Sequence, residues 1–287
     1  MKLRAYAKIN IGLNVLGKRS DDYHDLETVF HEIDCFDEIE LQRHDKVAMT
    51  ADSILVPIDG SNLCLSAANI LQKEKHVRQG VMIHLKKNIP IGAGLGGGSS
   101  DAAAVLCGLN HFWELKLSNN QLRTLAARIG SDVPFFIDGG TAYATGRGEI
   151  LESYSLAIPY WIVVVTPSIR ISTAWAYDHL VLKREGKGSG LRTKLLKQIS
   201  NPQKLTSIVQ NDFELSAFQT YPELSRVKEK LNEMGAVFSL MSGSGSSIYG
   251  FFENDKKGLA ARSSFQKNYQ TSITAPSFKP LHQPEAD

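Results

Sequence analysis

Cysteine is scarce in this sequence: Cys35, Cys64 and Cys107 are the three present in 287 residues. An odd number, widely spaced and without a CxxC pair, excludes a disulfide framework and a cysteine-built zinc site, and fits a reducing compartment. Long apolar runs are missing too. The longest, residues 157–165, has nine residues, against the ~20 needed to cross a bilayer as a helix. Lys8, Asn10 and Asn14 interrupt the N-terminal apolar stretch, so no secretory leader is expected there. Charge of one sign is the third absence. The formal net charge is +2; residues 1–150 carry 16 Lys and Arg against 18 Asp and Glu, and residues 151–287 carry 16 against 12. Neither half offers a basic surface that would track a nucleic-acid backbone. With 43% hydrophobic residues and so little net charge, disorder is excluded for most of the chain. The expectation is a cytoplasmic globular protein of one large or two ordinary domains, with neither nucleic acid nor membrane as partner.

What is present is an alternation of strand and helix signals without an internal repeat. Residues 3–16, rich in Ile, Leu and Val, alternate imperfectly and read as strand. Residues 28–41 read as one or two further strands, with Phe36-Asp37-Glu38 as a break. After the turn Asp59-Gly60-Ser61, the apolar Leu63, Ala67, Ile70 and Leu71 share one helical face, with Ser61 or Asn62 at its start. Residues 81–85 read as a short strand. Ala102, Val105, Leu109 and Phe112 predict a helix over 100–113, and Leu122, Leu125, Ala126 and Ile129 another, opened by Ser118. Residues 141–148 read as strand and turn, 161–165 and 248–252 as strands, and 222–234 as a helix. A change of unit is expected over 153–160. Residues 183–197, with six basic residues and one acid, read as a solvated loop or helix surface. The last dozen residues, with Pro276, Pro280 and Pro284, read as a loose tail. The whole is α+β or mixed α/β.

Between the strand at 81–85 and the helix that follows stands the densest glycine run of the chain, Gly92-Ala93-Gly94-Leu95-Gly96-Gly97-Gly98-Ser99-Ser100. Glycines permit positive φ and bring backbone N–H groups close to a ligand. The first turn of a helix leaves its N–H groups unpaired and carries partial positive charge. Together they form a phosphate cradle, and Ser99 and Ser100 add hydroxyls. No lysine follows the glycines, so this is not a Walker A loop. Gly92-x-Gly94-x-x-Gly97 satisfies the dinucleotide pattern formally, but Glu114 falls within a helical stretch instead of ending a second strand. A dinucleotide-dependent oxidoreductase is the rival class on that pattern; a hairpin or packing turn is the plain alternative.

The run from Pro90 to Ala103 resembles the second motif of the GHMP kinases, ATP-dependent kinases of small alcohols. Ala7-Lys8-Ile9-Asn10 and Asp22-Tyr23-His24-x-Leu26 are similar to the N-terminus of the branch that acts on a cytidylated methylerythritol. Gly130-Ser131-Asp132-Val133-Pro134-Phe135-Phe136 and Ala142-x-Ala144-x-Gly146-x-Gly148-Glu149 follow in family order, and Met241-Ser242-Gly243-Ser244-Gly245 is similar to the third glycine motif. The resemblance runs from about residue 5 to residue 252. It implies an α+β fold of two domains: an N-terminal, ATP-binding domain like ribosomal protein S5 domain 2 over 1–152, and a ferredoxin-like C-terminal domain over 153–287. It also implies transfer of the γ-phosphoryl of Mg-ATP to the tertiary 2-hydroxyl of the cytidylated alcohol, on the non-mevalonate route to isoprenoid precursors, by a monomer or weak homodimer.

Residue roles follow from the same resemblance. Asp132 is the implied catalytic base and Lys8 the cation beside it; a carboxylate accepts a hydroxyl proton as phosphoryl transfer proceeds, and an ammonium offsets the developing charge. Locally, Ser131-Asp132-x-Pro134 also reads as a helix cap. Asn10, two residues from Lys8 on one strand face, is expected to hold substrate hydroxyls or phosphate. Pro90, Gly92, Ala93, Gly94, Leu95, Gly96, Gly97, Gly98, Ser99 and Ser100 are the implied ATP loop. Asn62 and Lys87 match further ATP positions, against the plain readings of a helix cap and a solvated lysine. Tyr23, His24 and Tyr177 would grip the cytosine, with Thr173 nearby. Ser172 stands where the family has proline, and a helix-packing tyrosine is the alternative for Tyr177. Asp101 reads as a helix N-terminal acid, and residues 242–247 as a hairpin turn or a substrate contact. His31, His44, His76, His84 and His111 show no ligand spacing. No protein-built metal site is expected, and magnesium is expected to arrive with ATP.

Overall fold

The computed structural model describes residues 1–181 and 190–282. Its first half builds a six-stranded sheet from β1 (Lys2–Lys18), β2 (His24–His44), β3 (Val47–Ala51), β4 (Gly80–Lys86), β5 (Thr141–Thr145) and β6 (Ile150–Ser153). The helices α1 (Leu63–Lys75), α2 (Gly97–Phe112), α3 (Asn119–Ala126) and the single turn α4 (Phe135–Asp138) belong to the same half. Strand β2 is the spine. It pairs with β1 from His24 to Glu40; its other edge takes β5 at Thr28–His31 and β4 at Glu38–His44. The second half is a four-stranded antiparallel sheet of β7 (Trp161–Thr166), β8 (Phe238–Met241), β9 (Ile248–Phe252) and β10 (Gln270–Thr274) in the order β10-β7-β9-β8. Helices α5 (Thr173–Asp178), α6 (Leu191–Gln198), α7 (Pro202–Ile208), α8 (Glu214–Thr220) and α9 (Pro222–Glu233) lie between β7 and β8, and α10 (Asp255–Phe265) between β9 and β10. Strand order 4-1-3-2 with this β-α-β-β-α-β plan is the ferredoxin-like arrangement expected from the resemblance.

The imperfect alternation of residues 3–16 has a packing cause. Every residue of β1 from Ala5 to Val15 is buried. A strand covered on both faces has no polar side to show. Ala7, Ile9 and Ile11 pack with Val164, Leu240 and Phe251 of the second sheet. Lys8 and Asn10, on the opposite face, point into the cleft where the two halves meet. One strand thus joins the halves and carries polar groups to their junction.

Several local expectations need correction. Phe36-Asp37-Glu38 does not break the chain: β2 runs through it, and the irregularity is a register shift opposite Tyr6 and Ala7. The glycine-loop helix begins at Gly97, three residues earlier than its apolar face suggests, because glycines carry no periodic signal. The C-terminal tail is not loose where it is described. Ser277 N donates to Ile158 O, Phe278 meets Tyr6 edge-on, and His282 Nε2 lies 3.0 Å from Glu32 Oε2. Of the basic segment 183–197, residues 183–189 lie outside the described residues; the rest enters α6, where Leu191 and Leu195 are fully buried.

Candidate active site

The site grows from β1. The Lys8 ammonium donates to Asn10 Oδ1 at 2.6 Å and to Gly94 O at 3.3 Å, and lies 3.6 Å from Asp132 Oδ2. It sits 4.9 Å above the Phe30 ring. Burial pushes its pKa below the ordinary lysine value, with Asp132 pulling the other way. Asn10 Nδ2 donates to Thr28 Oγ1 at 2.9 Å, so its amide is fixed between the lysine and β2. Asn10 thus lies beside Lys8 on one strand face.

Asp132 comes from the turn between α3 and α4. Gly130 N donates to Ala126 O, closing the first helix, and Phe135 N to Asp132 O, opening the next. Buried Val133, Phe135 and Phe136 anchor this turn, leaving the Asp132 side chain about one-third exposed at 32%. The cap reading fails here: α4 has Pro134 as its N-cap and no side-chain cap bond. The carboxylate is free to face the cleft.

The glycine loop lies directly opposite. Gly94 and Gly96 have φ of +76° and +71°, a region that side chains disfavour. At Gly94 a Cβ would stand 2.1 Å from Ser242 O, so the loop passes flush against the β8–β9 turn. Gly96 caps α2 in the left-handed conformation and supplies no side chain, so no side-chain oxygen caps the first turn of α2. Those N–H groups remain available to an anion at the positive end of a 16-residue helix.

Two cavities meet at these groups. One, of about 400 Å³, is walled by the glycine loop and, at its far end, by apolar Leu55, Val56, Pro57 and Leu63. The other, of about 630 Å³, extends past Asn10 and Thr28 to Tyr23, His24 and Tyr177. Lys8, Ser99, Asp132 and Thr173 belong to both walls. Each volume falls in the range of small-molecule sites, ~300–1,000 Å³. An ammonium and a carboxylate at the junction of two such cavities suit transfer of a charged group between two bound molecules, one taking a proton and the other offsetting charge.

At the far end of the larger cavity His24 stacks on Tyr177, with ring centroids 4.8 Å apart and planes 17° from parallel. Tyr177 also meets Phe213 edge-on, and burial together with the charge of Asp132 pushes its phenol up to about 12. Burial and then Lys18 push the His24 imidazole down. The replacement of proline by Ser172 has a local explanation: its hydroxyl caps α5 by accepting from Trp175 N at 3.1 Å. Tyr177 is thus both a packed helix residue and a cavity wall. Tyr23 is half exposed and lies beneath Arg147, whose guanidinium carbon is 4.5 Å from the ring centroid.

Asn62 and Lys87 line the smaller cavity but are engaged elsewhere. Asn62 caps α1, its Oδ1 accepting from Cys64 N and its Nδ2 donating to Pro57 O. Lys87 is not solvated. Its ammonium is held by Asp37 and, at 2.7 Å, by Asp101 Oδ2, which makes Asp101, in the second turn of α2, a buried ion-pair partner and not a first-turn acid. Sequence reasoning also missed Arg147 and Phe213, both cavity residues, and reached Ser244 only as part of residues 242–247. For Arg147 a signal existed: an arginine between two glycines, Gly146 and Gly148, of the motif already noted.

Two family models match the chain. "GHMP kinases N terminal domain" matches residues 62–140 and "GHMP kinases C terminal" residues 193–271. The chain belongs to the GHMP kinase family. Within it, the chain is 41% identical over 279 residues to the 4-diphosphocytidyl-2-C-methyl-D-erythritol kinase of Pelodictyon phaeoclathratiforme, covering 96% of this chain and 97% of that one. It is 42% identical over 281 residues to the kinase of that name from Chlorobium chlorochromatii, covering 97% of each. A crystal structure of 4-(cytidine 5'-diphospho)-2C-methyl-D-erythritol kinase superposes with a TM-score of 0.82 at 32% identity, over 97% of this chain and 100% of the other. The homoserine kinase of Cytophaga hutchinsonii, with a TM-score of 0.74 at 19% identity over 96% and 95%, shares the fold.

Proposed function

We propose that this protein transfers the γ-phosphoryl group of ATP to the 2-hydroxyl of 4-diphosphocytidyl-2-C-methyl-D-erythritol, giving the 2-phosphate and ADP on the non-mevalonate route to isoprenoid precursors. The observation that carries the reading is the junction of the two cavities at Lys8 and Asp132. One cavity offers uncapped helix N–H groups and an apolar end, suited to the phosphates and base of ATP. The other offers stacked rings at His24 and Tyr177, suited to a pyrimidine, with Tyr23 and Arg147 beside them.

The chemistry is a direct displacement. The substrate hydroxyl oxygen forms the new O–P bond as the bond from the γ-phosphorus to the ADP oxygen breaks, and the hydroxyl proton passes to the Asp132 carboxylate. Lys8 offsets the negative charge gathering between the two oxygens, from a buried place where little water screens it. Asn10 orients Lys8 and faces the acceptor; Thr173 closes the wall that both substrates share. Lys87 and Asn62 act by holding the frame of the ATP cavity, and Pro90 to Ser100 by enclosing the phosphates. Magnesium arriving with ATP would find the Ser99 and Thr173 hydroxyls as hard oxygen donors in both walls, leaving Asp132 to take the proton. Bound with ATP, it supplies charge neutralisation on the phosphoryl oxygens.

The acceptor is a small molecule, and the near-neutral charge supports no nucleic-acid partner. Among the described residues no helix is long and apolar enough to cross a membrane. The reading is of a cytoplasmic monomer or weak homodimer. The experiment is ADP release from Mg-ATP with the cytidylated acceptor, mevalonate and homoserine in parallel. Release with the first is expected; release only with another alcohol keeps the family and overturns the substrate. Asp132→Asn is expected to lower kcat about 10²–10⁴-fold, and full turnover in that variant overturns the proton step.

A further inference from the structure

The Lys8 ammonium has two neutral oxygen acceptors, Asn10 Oδ1 and Gly94 O. Both belong to segments tied to one hydroxyl across the cleft. Ser242 Oγ accepts from Asn10 N at 3.3 Å and donates to Gly94 O at 2.9 Å. Ser242 is fully buried in the β8–β9 turn. A turn that contains Gly243 and Gly245, both at positive φ, closes on itself, with Gly245 N donating to Ser242 O and Ser242 N to Ser247 O.

Asn211 braces the same turn from behind. Its Nδ2 donates to Met241 O and Gly243 O, each at 2.8 Å, and so grips the carbonyls on either side of Ser242. Its Oδ1 accepts from Phe213 N at 3.0 Å. Both N–H donors and the carbonyl are engaged, which fixes the amide orientation; a carboxylate at this place would face two carbonyl oxygens with no proton to give. The segment that carries Asn211 is in turn locked to β1. Leu13 N donates to Gln210 O at 2.8 Å, Asp212 N to Leu13 O at 3.0 Å, and Val15 N to Asp212 Oδ2 at 2.8 Å. Asn211 itself lines neither substrate cavity.

We propose that Asn211 is a positioning residue for phosphoryl transfer: it places Ser242, through Ser242 the Asn10 and Gly94 oxygens, and thereby the Lys8 ammonium opposite Asp132. The proposal rests on the kinase reading above and adds to it a relay that starts about thirty residues away in sequence, outside every glycine motif. It separates placement of the catalytic cation from substrate binding, because the relay ends on Lys8.

A double-mutant cycle on turnover tests this, with the unfolding midpoint of each variant recorded. Asn211→Ala and Ser242→Ala are each expected to lower kcat about tenfold or more, with the KM of both substrates moving less than about threefold. The double variant is expected to fall no further than the worse single one, since both cut the same relay. Losses that multiply overturn the proposal, as does wild-type kcat in either folded variant. Where Asn211→Ala does not fold, Asn211→Asp replaces it in the cycle, and wild-type kcat in Ser242→Ala alone is sufficient to overturn the relay. Turnover of the wild-type enzyme with the cytidylated acceptor is measured first. Its absence counts against that acceptor, and the cycle is then run with whichever alcohol the wild type phosphorylates.

Discussion

Lys8 and Lys87 both lie buried against the loop that leads into α2, with side chains 5% and 7% exposed. Their surroundings differ in how closely carboxyl groups approach the ammonium. Lys8 has a single carboxylate, Asp132, at 3.6 Å, and two neutral oxygens. Burial prevails and its pKa is pushed down. Lys87 has two carboxyl groups in contact, Asp37 and Asp101. Burial works in the same direction there, but Asp101 and Asp37 outweigh it and hold the ammonium above its ordinary value. An under-compensated ammonium costs stability and answers strongly to new negative charge; a fully compensated one ties segments together and answers to little. Lys8 belongs with the chemistry and Lys87 with the frame.

The comparison is sharpest in paired substitutions. Lys8→Met is expected to lower kcat about 10²–10³-fold, while the unfolding midpoint stays within ~3 °C of wild type or rises, since the change removes a poorly compensated buried charge. Steady-state turnover and calorimetry on the same preparation read both quantities. A large drop in midpoint with turnover preserved would reverse the assignment of the two lysines.

Lys87→Met is expected to behave in the opposite way. Removing the cation strands Asp37, whose Oδ1 still accepts from Asn88 N at 2.6 Å and Ile89 N at 2.8 Å, beside a second buried carboxyl. Breaking a buried ion pair on one side costs about 3–5 kcal/mol, read as a lower urea midpoint. The folded fraction should keep a kcat within about fivefold of wild type. If the midpoint is unchanged and only the KM for ATP rises, Lys87 is a nucleotide ligand and the frame role is lost.

The same contrast explains how much was legible in advance. The glycine loop is continuous in sequence, so local pattern reached it; Lys8 was legible through the family motif, and Asn10 by standing two residues further along the same strand. Asp132 was legible through its motif, although its local context argued for a helix cap that α4 does not use. The Asp37–Lys87–Asp101 cluster joins a strand, a loop and a helix across 50 and 14 residues. Asp37 was hidden because a polar residue inside an apolar run reads as a break, whereas here its charge is neutralised and the strand continues. Asn211 was hidden for the related reason that its partners are backbone carbonyls, which leave no mark on sequence. The tail was misread because three prolines suggest looseness, while His282 and Phe278 find partners only in the folded chain.

The smallest effect is expected at Asp101, and it tests the charge count itself. One ammonium and two carboxyls are neutral together only if one carboxyl keeps its proton. Burial, opposed by Lys87 and reinforced by Asp37, pushes Asp101 well above the usual carboxylate range. Its Oδ1 has no hydrogen-bond partner among the described residues. Asp37, by contrast, accepts two backbone N–H bonds at its Oδ1. The proton of the cluster is thus expected on Asp101, where asparagine reproduces shape and neutrality. A carboxyl whose folded pKa is raised binds more protons folded than unfolded. Its contribution is fully present below the unfolded value of 3.8 and is lost as pH rises through the folded value. Asp101→Asn removes that dependence. Urea unfolding at pH 5, 6, 7 and 8 should show wild type losing stability relative to the variant as pH rises, by at most about 1.4 kcal/mol per pH unit. Turnover at pH 7 should stay within about threefold of wild type, because the residue touches the frame and not the reacting atoms. A relative stability of wild type that instead grows from pH 5 to pH 8 would make Asp101 an ionised partner of Lys87, and Lys87 would then be bound by two full negative charges.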